Sequence, residues 1–142
     1  MVDVVLVVSK LHSFLKHLPQ VSFHKVFNFT GCVGSSAYIS IHNMCAWMID
    51  IHGSDYLKEK YLTSMTKFDL FSSYCLTEPD SGSDAQAMKS FAKDMGDHFV
   101  LNGSKAFISG AGTSDLYVVM CKTGEKEVSC LLLEKGLSLI HI

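Results

Sequence analysis

Arginine is absent: all twelve basic residues of the chain are lysines. That removes the planar fork that grips carboxylates and phosphates bidentately, so an anion bound here is held by lysine, hydroxyls or backbone N–H groups. The formal net charge is −2, which argues against nucleic acid as a partner, since such binding is driven by phosphate neutralisation. No CxxC pair occurs, and the five cysteines, at 32, 45, 75, 121 and 130, are odd in number. Neither a disulfide framework nor a metal site is indicated, and reduced, mostly buried thiols of an intracellular compartment are expected instead. Long apolar runs are missing too: the opening Val2–Val8 stretch is far shorter than the roughly 20 residues of a membrane span, and no membrane association is expected. Asp3 is the first charge, unlike a secretory signal, and the lack of arginine is unlike a mitochondrial transit segment.

The chain does have apolar residues in quantity, 48% of 142, enough for the core of one ordinary domain. Residues 1–29 mix valine, lysine, histidine and phenylalanine without sustained periodicity, and Pro19 interrupts them; a short strand or helix is expected near the start. Residues 35–66 read as helical. Ser35 and Ser36 are placed to cap a helix running through Asp50. Tyr38, Ile41, Cys45, Met48 and Ile49 recur at steps of three and four and give it one apolar face. Gly53 should stop it by taking positive φ. Ser54 then caps a second helix with Leu57, Tyr61, Leu62 and Met65 as its buried stripe, while Lys58, Glu59 and Lys60 face water.

From Phe68 onward the texture changes to strands and turns. Phe71–Thr77 is a short apolar run, and Glu78–Asp84 has the Pro, Gly, Ser and Asp of an ordered loop. Gly96-Asp97 marks a turn. Phe99-Val-Leu101 leads into Asn102-Gly103, a hairpin signal. Ala106–Ser109, Leu116–Cys121 and Val128–Glu134 are expected as further strands. Four or five antiparallel strands at short spacing indicate part of a barrel or sandwich. The fold class expected is therefore α+β, a helical segment followed by an incomplete antiparallel β-barrel.

The loop Thr77–Asp84 concentrates hydroxyls and backbone N–H groups in a tight turn, a geometry that forms anion-binding concavities. On composition alone an ordinary surface loop is the more frequent case. The ordered blocks around it shift that balance. Tyr74-Cys-Leu-Thr-Glu-Pro79, two further residues and Gly82-Ser-Asp84 resemble the signature of the acyl-CoA dehydrogenase family. Gly96-Asp-His-Phe-Val-Leu-Asn-Gly-Ser-Lys-Ala-Phe-Ile-Ser-Gly-Ala-Gly112 resembles its hairpin and flavin-contacting strand. Ala37–Asp50 is similar to the isobutyryl-CoA branch, as is Phe107 where many relatives carry Trp. The likeness runs from about Thr30 to Gly136. It implies a partial helical N-terminal domain over 30–70 and a partial middle β domain over 71–136, with 1–29 and 137–142 unmatched.

The resemblance implies FAD as cofactor, a short branched acyl-CoA as substrate, electron-transferring flavoprotein as acceptor, the mitochondrial matrix, and a homotetramer in full-length members. It implies that Tyr74, Cys75, Leu76 and Thr77 line the flavin, with the Thr77 hydroxyl on the pyrimidine edge. Glu78, Pro79, Asp80, Ser81 and Gly82 continue that loop, and Ser83 meets both the pyrophosphate and the acyl-CoA. Phe107 packs on the isoalloxazine, followed by Ile108, and Ser109 offers its hydroxyl near N5. Asp80 stands where relatives usually carry Gly. Its carboxylate should weaken flavin retention relative to glycine unless it points to solvent, where the cost is small. Glu78 and Asp84 are expected to accept backbone N–H bonds, Lys105 to be a solvated strand residue, His42 and His52 to be core or surface histidines, and Trp47 to pack on its helix. The family's catalytic glutamate lies downstream in a C-terminal helical domain, so no catalytic residue is expected in this chain and it should not turn over acyl-CoA alone. A non-catalytic interaction module, or an unstable product with part of the fold, is the alternative.

Overall fold

The computed structural model describes residues 33–125 and 127–137. Cys32, the element expected near the start and the tail beyond Leu137 lie outside them. Helix α1 spans Val33–His52. It begins before the expected serine cap, and Ser36 is buried within it. Cys45, Met48 and Ile49 form its buried face. His42, one turn before Cys45, is also buried. Its Nε2 donates to the Met65 carbonyl at 3.0 Å, which leaves Nδ1 to accept from the Ser72 N–H (3.2 Å) and hydroxyl (3.0 Å). Gly53 ends α1, its N–H donating to the Ile49 carbonyl at 2.8 Å. It does so without positive φ; glycine fits because a Cβ would strike the Ile49 carbonyl oxygen.

The second helical run has three parts: α2 (Asp55–Leu57), a π-helical segment (Lys58–Leu62) and α3 (Thr63–Thr66). Ser54 sits at the cap position without a side-chain cap bond. Leu57, Tyr61 and Met65 are buried and Leu62 half-buried, which is the expected stripe. The π turn was not expected, and Lys60 is not merely solvated. Its Nζ lies 3.0 Å from Glu134, to which the Tyr61 hydroxyl also donates at 2.8 Å. This ties the helical run to the last strand.

Five strands follow: β1 (Ser72–Cys75), β2 (Phe91–Asp94), β3 (Phe99–Asn102), β4 (Leu116–Lys122) and β5 (Val128–Glu134), with a 3₁₀ turn at Ala85–Ala87. They form one mixed sheet, not an antiparallel one, and it is not closed into a barrel. β1 pairs with β4 in parallel, Ser72 opposite Leu116 and Cys75 opposite Val119. β2 meets β4 in parallel at Phe91 and Lys122, while β2–β3 and β4–β5 are antiparallel. The hairpin turn lies at 95–98, where Gly96 takes φ +98. Asn102-Gly103 instead ends β3, and β2 was not expected at all. Ala106–Ser109 is not a strand: Phe107 has φ +57 and residues 109–113 turn. Strand pairing needs extended backbone, which a left-handed residue interrupts.

The core has two sides because β4 and β5 are buried on both faces. Leu116, Val118, Met120, Cys130 and Leu132 pack with Cys45, Met48, Ile49, Leu57, Tyr61 and Met65 of the helices. On the other face Tyr117, Val119 and Leu133 pack with Cys75 and Ile108, and Cys121 and Leu131 with Ala92, Phe99 and Leu101. Leu57→Ala should therefore lower stability by about 2–5 kcal/mol, the range for removing a buried leucine side chain. Ile51→Ala, on an exposed position of α1, should stay within about 0.5 kcal/mol. Urea unfolding of both variants checks this, and equal losses would contradict the assignment of the buried face.

Candidate functional site

The loop after β1 turns sharply. The Glu78 N–H donates to the Ser81 carbonyl (2.9 Å) and the Ser81 N–H to the Glu78 carbonyl (3.1 Å). Pro79 and Asp80 thus occupy the central positions of a β-turn, where proline's fixed φ suits the first. Asp80 does not take positive φ, so glycine is not required there. Its carboxylate lies at the surface, 2.7 Å from Lys89 Nζ. Ser81 is buried and its hydroxyl donates to the Asp84 carbonyl at 2.7 Å. Ser83 and Asp84 are exposed. A Cβ at Gly82 would meet nothing in the chain.

The loop is anchored from beneath. Glu78 is buried, and its carboxylate accepts the N–H groups of Lys89 (2.6 Å) and Ser90 (3.0 Å), as expected of a loop-shaping residue. Its third partner is Lys105, 2.7 Å away, which is not a solvated strand residue: the two side chains are only 7% and 4% exposed. Lys105 also donates to the Leu76 carbonyl at 3.0 Å. Burial pushes the Glu78 carboxyl up, but the bonds from Lys105, Ser90 and Lys89 outweigh it and hold it at about 2.

Lys105 brings in the second segment. The Ala106 N–H donates to the Thr77 carbonyl at 2.9 Å, so Leu76–Glu78 and Lys105–Phe107 run side by side. Beyond them Phe107 is 95% exposed at φ +57. Ile108 packs inward beside Cys75, and the Ser109 carbonyl accepts the Ser73 hydroxyl at 2.6 Å. Among the described residues, the hydroxyls of Thr77, Ser83 and Ser109 make no hydrogen bond within the chain.

The fold thus sets Thr77 and Glu78 beside Lys105 and Ala106, next to Phe107, but divides Tyr74 from Cys75. Successive strand residues point to opposite faces, so Tyr74 packs toward the helices and Cys75 into the cluster with Ile108. The Tyr74 hydroxyl is buried with no hydrogen-bond partner among the described residues. Burial raises its pKa. It also pushes Cys45 and Cys75 up to about 12 and Cys121 to about 11, which removes them as nucleophiles near neutral pH. Lys105 is the site residue that sequence reasoning misplaced. Its partner lies 27 positions away, and no local pattern signals that pairing.

Residues 73–142 match the family model for the acyl-CoA dehydrogenase middle domain. The chain belongs to the acyl-CoA dehydrogenase family. It is 51% identical over 110 residues to a Bos taurus protein named isobutyryl-CoA dehydrogenase, mitochondrial, covering 75% of this chain and 26% of the relative. The Dictyostelium discoideum protein of the same name is 53% identical over 107 residues, covering 72% and 26%. Among solved structures, a glutaryl-CoA dehydrogenase from Mycobacterium smegmatis in complex with FADH2 is 26% identical with TM-score 0.69, covering 72% of this chain and 27% of that one. The chain therefore spans about a quarter of the length of these relatives.

In this chain the buried Lys105–Glu78 pair is the electrostatic anchor of the loop. Lys105→Met leaves the Glu78 carboxylate buried and unpaired, and should cost about 3–5 kcal/mol. The folded Glu78 value lies below the ordinary 4.5. Its stabilisation is thus complete above pH 4.5 and is lost as pH falls towards about 2. Glu78→Gln should abolish that part of the acid dependence. Stability measured against pH for wild type and both variants checks this, and an unchanged acid limb in Glu78→Gln would refute it.

Proposed function

We propose that this chain carries part of the FAD site of an acyl-CoA dehydrogenase acting on a short branched-chain acyl-CoA such as isobutyryl-CoA, a step of valine breakdown. The observation that carries this is Phe107: a large aromatic ring almost wholly in water, on backbone of positive φ, beside a loop with open hydroxyls. A flat heteroaromatic ligand would give that ring a partner. The donor chemistry fits as well. Glu78 is neutralised from within by Lys105 and Asp80 at the surface by Lys89. Neither carboxylate opposes an anionic cofactor with an unpaired charge. Gly82 leaves room for close approach of a ligand to the backbone.

On this reading Thr77 and the main chain from Tyr74 to Thr77 hold the pyrimidine edge. The Glu78–Gly82 turn shapes the loop, and Ser83 serves the pyrophosphate and lies beside the acyl-CoA. Phe107 and Ile108 support the isoalloxazine, and Ser109 offers its hydroxyl near N5. Bound there, FAD would supply the acceptor for the substrate's β-hydride. Removal of the α-proton is assigned to no residue of this chain. The same reading has electrons pass to electron-transferring flavoprotein, the full-length protein assemble as a homotetramer, and the mitochondrial matrix as its place. The names of the relatives support the last of these.

Titration of the purified chain with FAD tests the site. Phe107→Ala should raise the dissociation constant about tenfold, the equivalent of one aromatic contact. Asp80→Gly should leave it within about twofold, because the carboxylate already pairs with Lys89 at the surface. No saturable FAD binding by the wild-type chain, or equal affinity in Phe107→Ala, would overturn the proposal.

A further inference from the structure

A line of hydroxyls runs from α1 to the segment that carries Ser109. The Tyr38 hydroxyl lies 2.6 Å from Ser114 Oγ, which lies 2.7 Å from Ser73 Oγ, which donates to the Ser109 carbonyl at 2.6 Å. The last bond fixes the direction of the others. A carbonyl only accepts, so Ser73 gives its proton to Ser109 and must accept from Ser114. Ser114 has then used its proton and must accept from Tyr38. Every proton has one place to go, and bonds aligned in this way polarise and reinforce one another.

Gly110 is packed against this line. It takes φ +81, and a Cβ there would collide with the Tyr38 ring, with Ser114 Oγ (2.6 Å) and with Ser73 Oγ (2.7 Å). Its carbonyl accepts the N–H groups of Thr113 (3.0 Å) and Ser114 (2.9 Å), while the Ala111 N–H donates to the Ile108 carbonyl at 3.1 Å. The Tyr38 ring stacks on Phe71, centroids 5.8 Å apart, so its position does not depend on the hydroxyl alone. Ser73 belongs to β1 and is fully buried, as is Ser114 just before β4. One end of the line thus rests on the helix, its middle on the sheet, and its far end on the exposed turn.

We infer that Tyr38, Ser114 and Ser73 are positioning residues for the Phe107–Ser109 segment, and that α1 therefore belongs functionally to the ligand site without touching the ligand. This rests on the flavin-site reading for the ligand's identity, but not for the mechanical claim. Tyr38→Phe removes the terminal donor and keeps the ring.

Two measurements on the full chain test it. The first needs no flavin. Amide hydrogen exchange at Ala111, Thr113 and Ser114 should quicken about fivefold in Tyr38→Phe, the worth of one net hydrogen bond, while amides of β4 and β5 keep wild-type rates. The second uses FAD. The dissociation constant should rise about fivefold, and the visible absorption band of the bound flavin should shift, a signature that loss of stability alone does not produce. Ser114→Ala should do the same, and the double variant should cost less than the sum of the two, since they break one line. Unchanged exchange in both single variants would overturn the inference. So would quickened exchange with an unmoved flavin band and affinity. If the wild-type chain binds no FAD, the flavin-site reading fails, and the exchange measurement alone still decides whether the line holds the segment.

Discussion

Parallel strands cannot be joined by a tight turn. The pairing of Ser72–Cys75 with Leu116–Val119 therefore obliges residues 76–115 to form a long crossover, which itself adds β2 and β3 to the sheet. Every candidate ligand residue except Tyr74 and Cys75 lies on that excursion. Its outward limb carries Thr77–Ser83, its return limb carries Phe107–Ser109, and the β2–β3 hairpin lies between them. The β4 strand tolerates this because it is buried along its length and bonded on both sides, to β5 over its whole extent and to β1 and β2 over successive parts. The parallel ladder puts the exit from β1 and the entry into β4 at opposite ends, so the return limb must run back alongside β1, with Ala106 beside Thr77 and Ser109 beside Ser73, and that passage is what brings the two segments together.

Proximity does not by itself hold two loops in register, and the chain has no arginine with which to clamp them. Lysine does the work as a point charge. Lys105 reaches across to Glu78 and to the Leu76 carbonyl, while Glu78 spends its remaining lone pairs on the backbone at Lys89 and Ser90. A buried pair of this kind gives little net stability against an apolar substitute, but breaking one partner is costly. What it supplies here is a fixed relation between the two segments without leaving a charge facing the site. The donors that remain open are hydroxyls, which suits a ligand bound through neutral hydrogen bonds and stacking.

The residues whose environment is local were legible in sequence. Val128–Glu134 is bounded as expected, because an apolar run between turn-formers has few other options. The stripe Leu57, Tyr61, Met65 follows from helical spacing even though a π turn interrupts the helix. The sheet's parallel pairings were not legible, since strand order is set by contacts between residues far apart in the chain. Asn102-Gly103 shows the limit of a dipeptide signal. It can turn a hairpin, but only if a strand follows to pair with, and at 103–109 the chain instead swings Lys105 down to Glu78. Ser73 and Ser114 are unremarkable in sequence and become a line of donors only when β1 and β4 align.

Among the described residues two phenylalanines have positive φ, at an expected cost of about 1–2 kcal/mol each for a residue bearing a side chain. Phe68 has a visible return. It closes α3, its N–H donating to the Met65 carbonyl at 3.1 Å. Its ring lies 5.1 Å from His42 and 5.9 Å from Phe71, centroid to centroid. Phe107 has neither return: it ends no helix, and its ring touches almost nothing. Yet it is pinned on both sides, by the Ala106–Thr77 bond before it and the Ser73–Ser109 bond after it. Thermal motion does not explain a strained residue whose neighbours are both tied down. A solvent-facing aromatic on a backbone fixed at both ends is a poor solution for folding and a good one for binding, because the backbone that presents the ring is already in place before a ligand arrives.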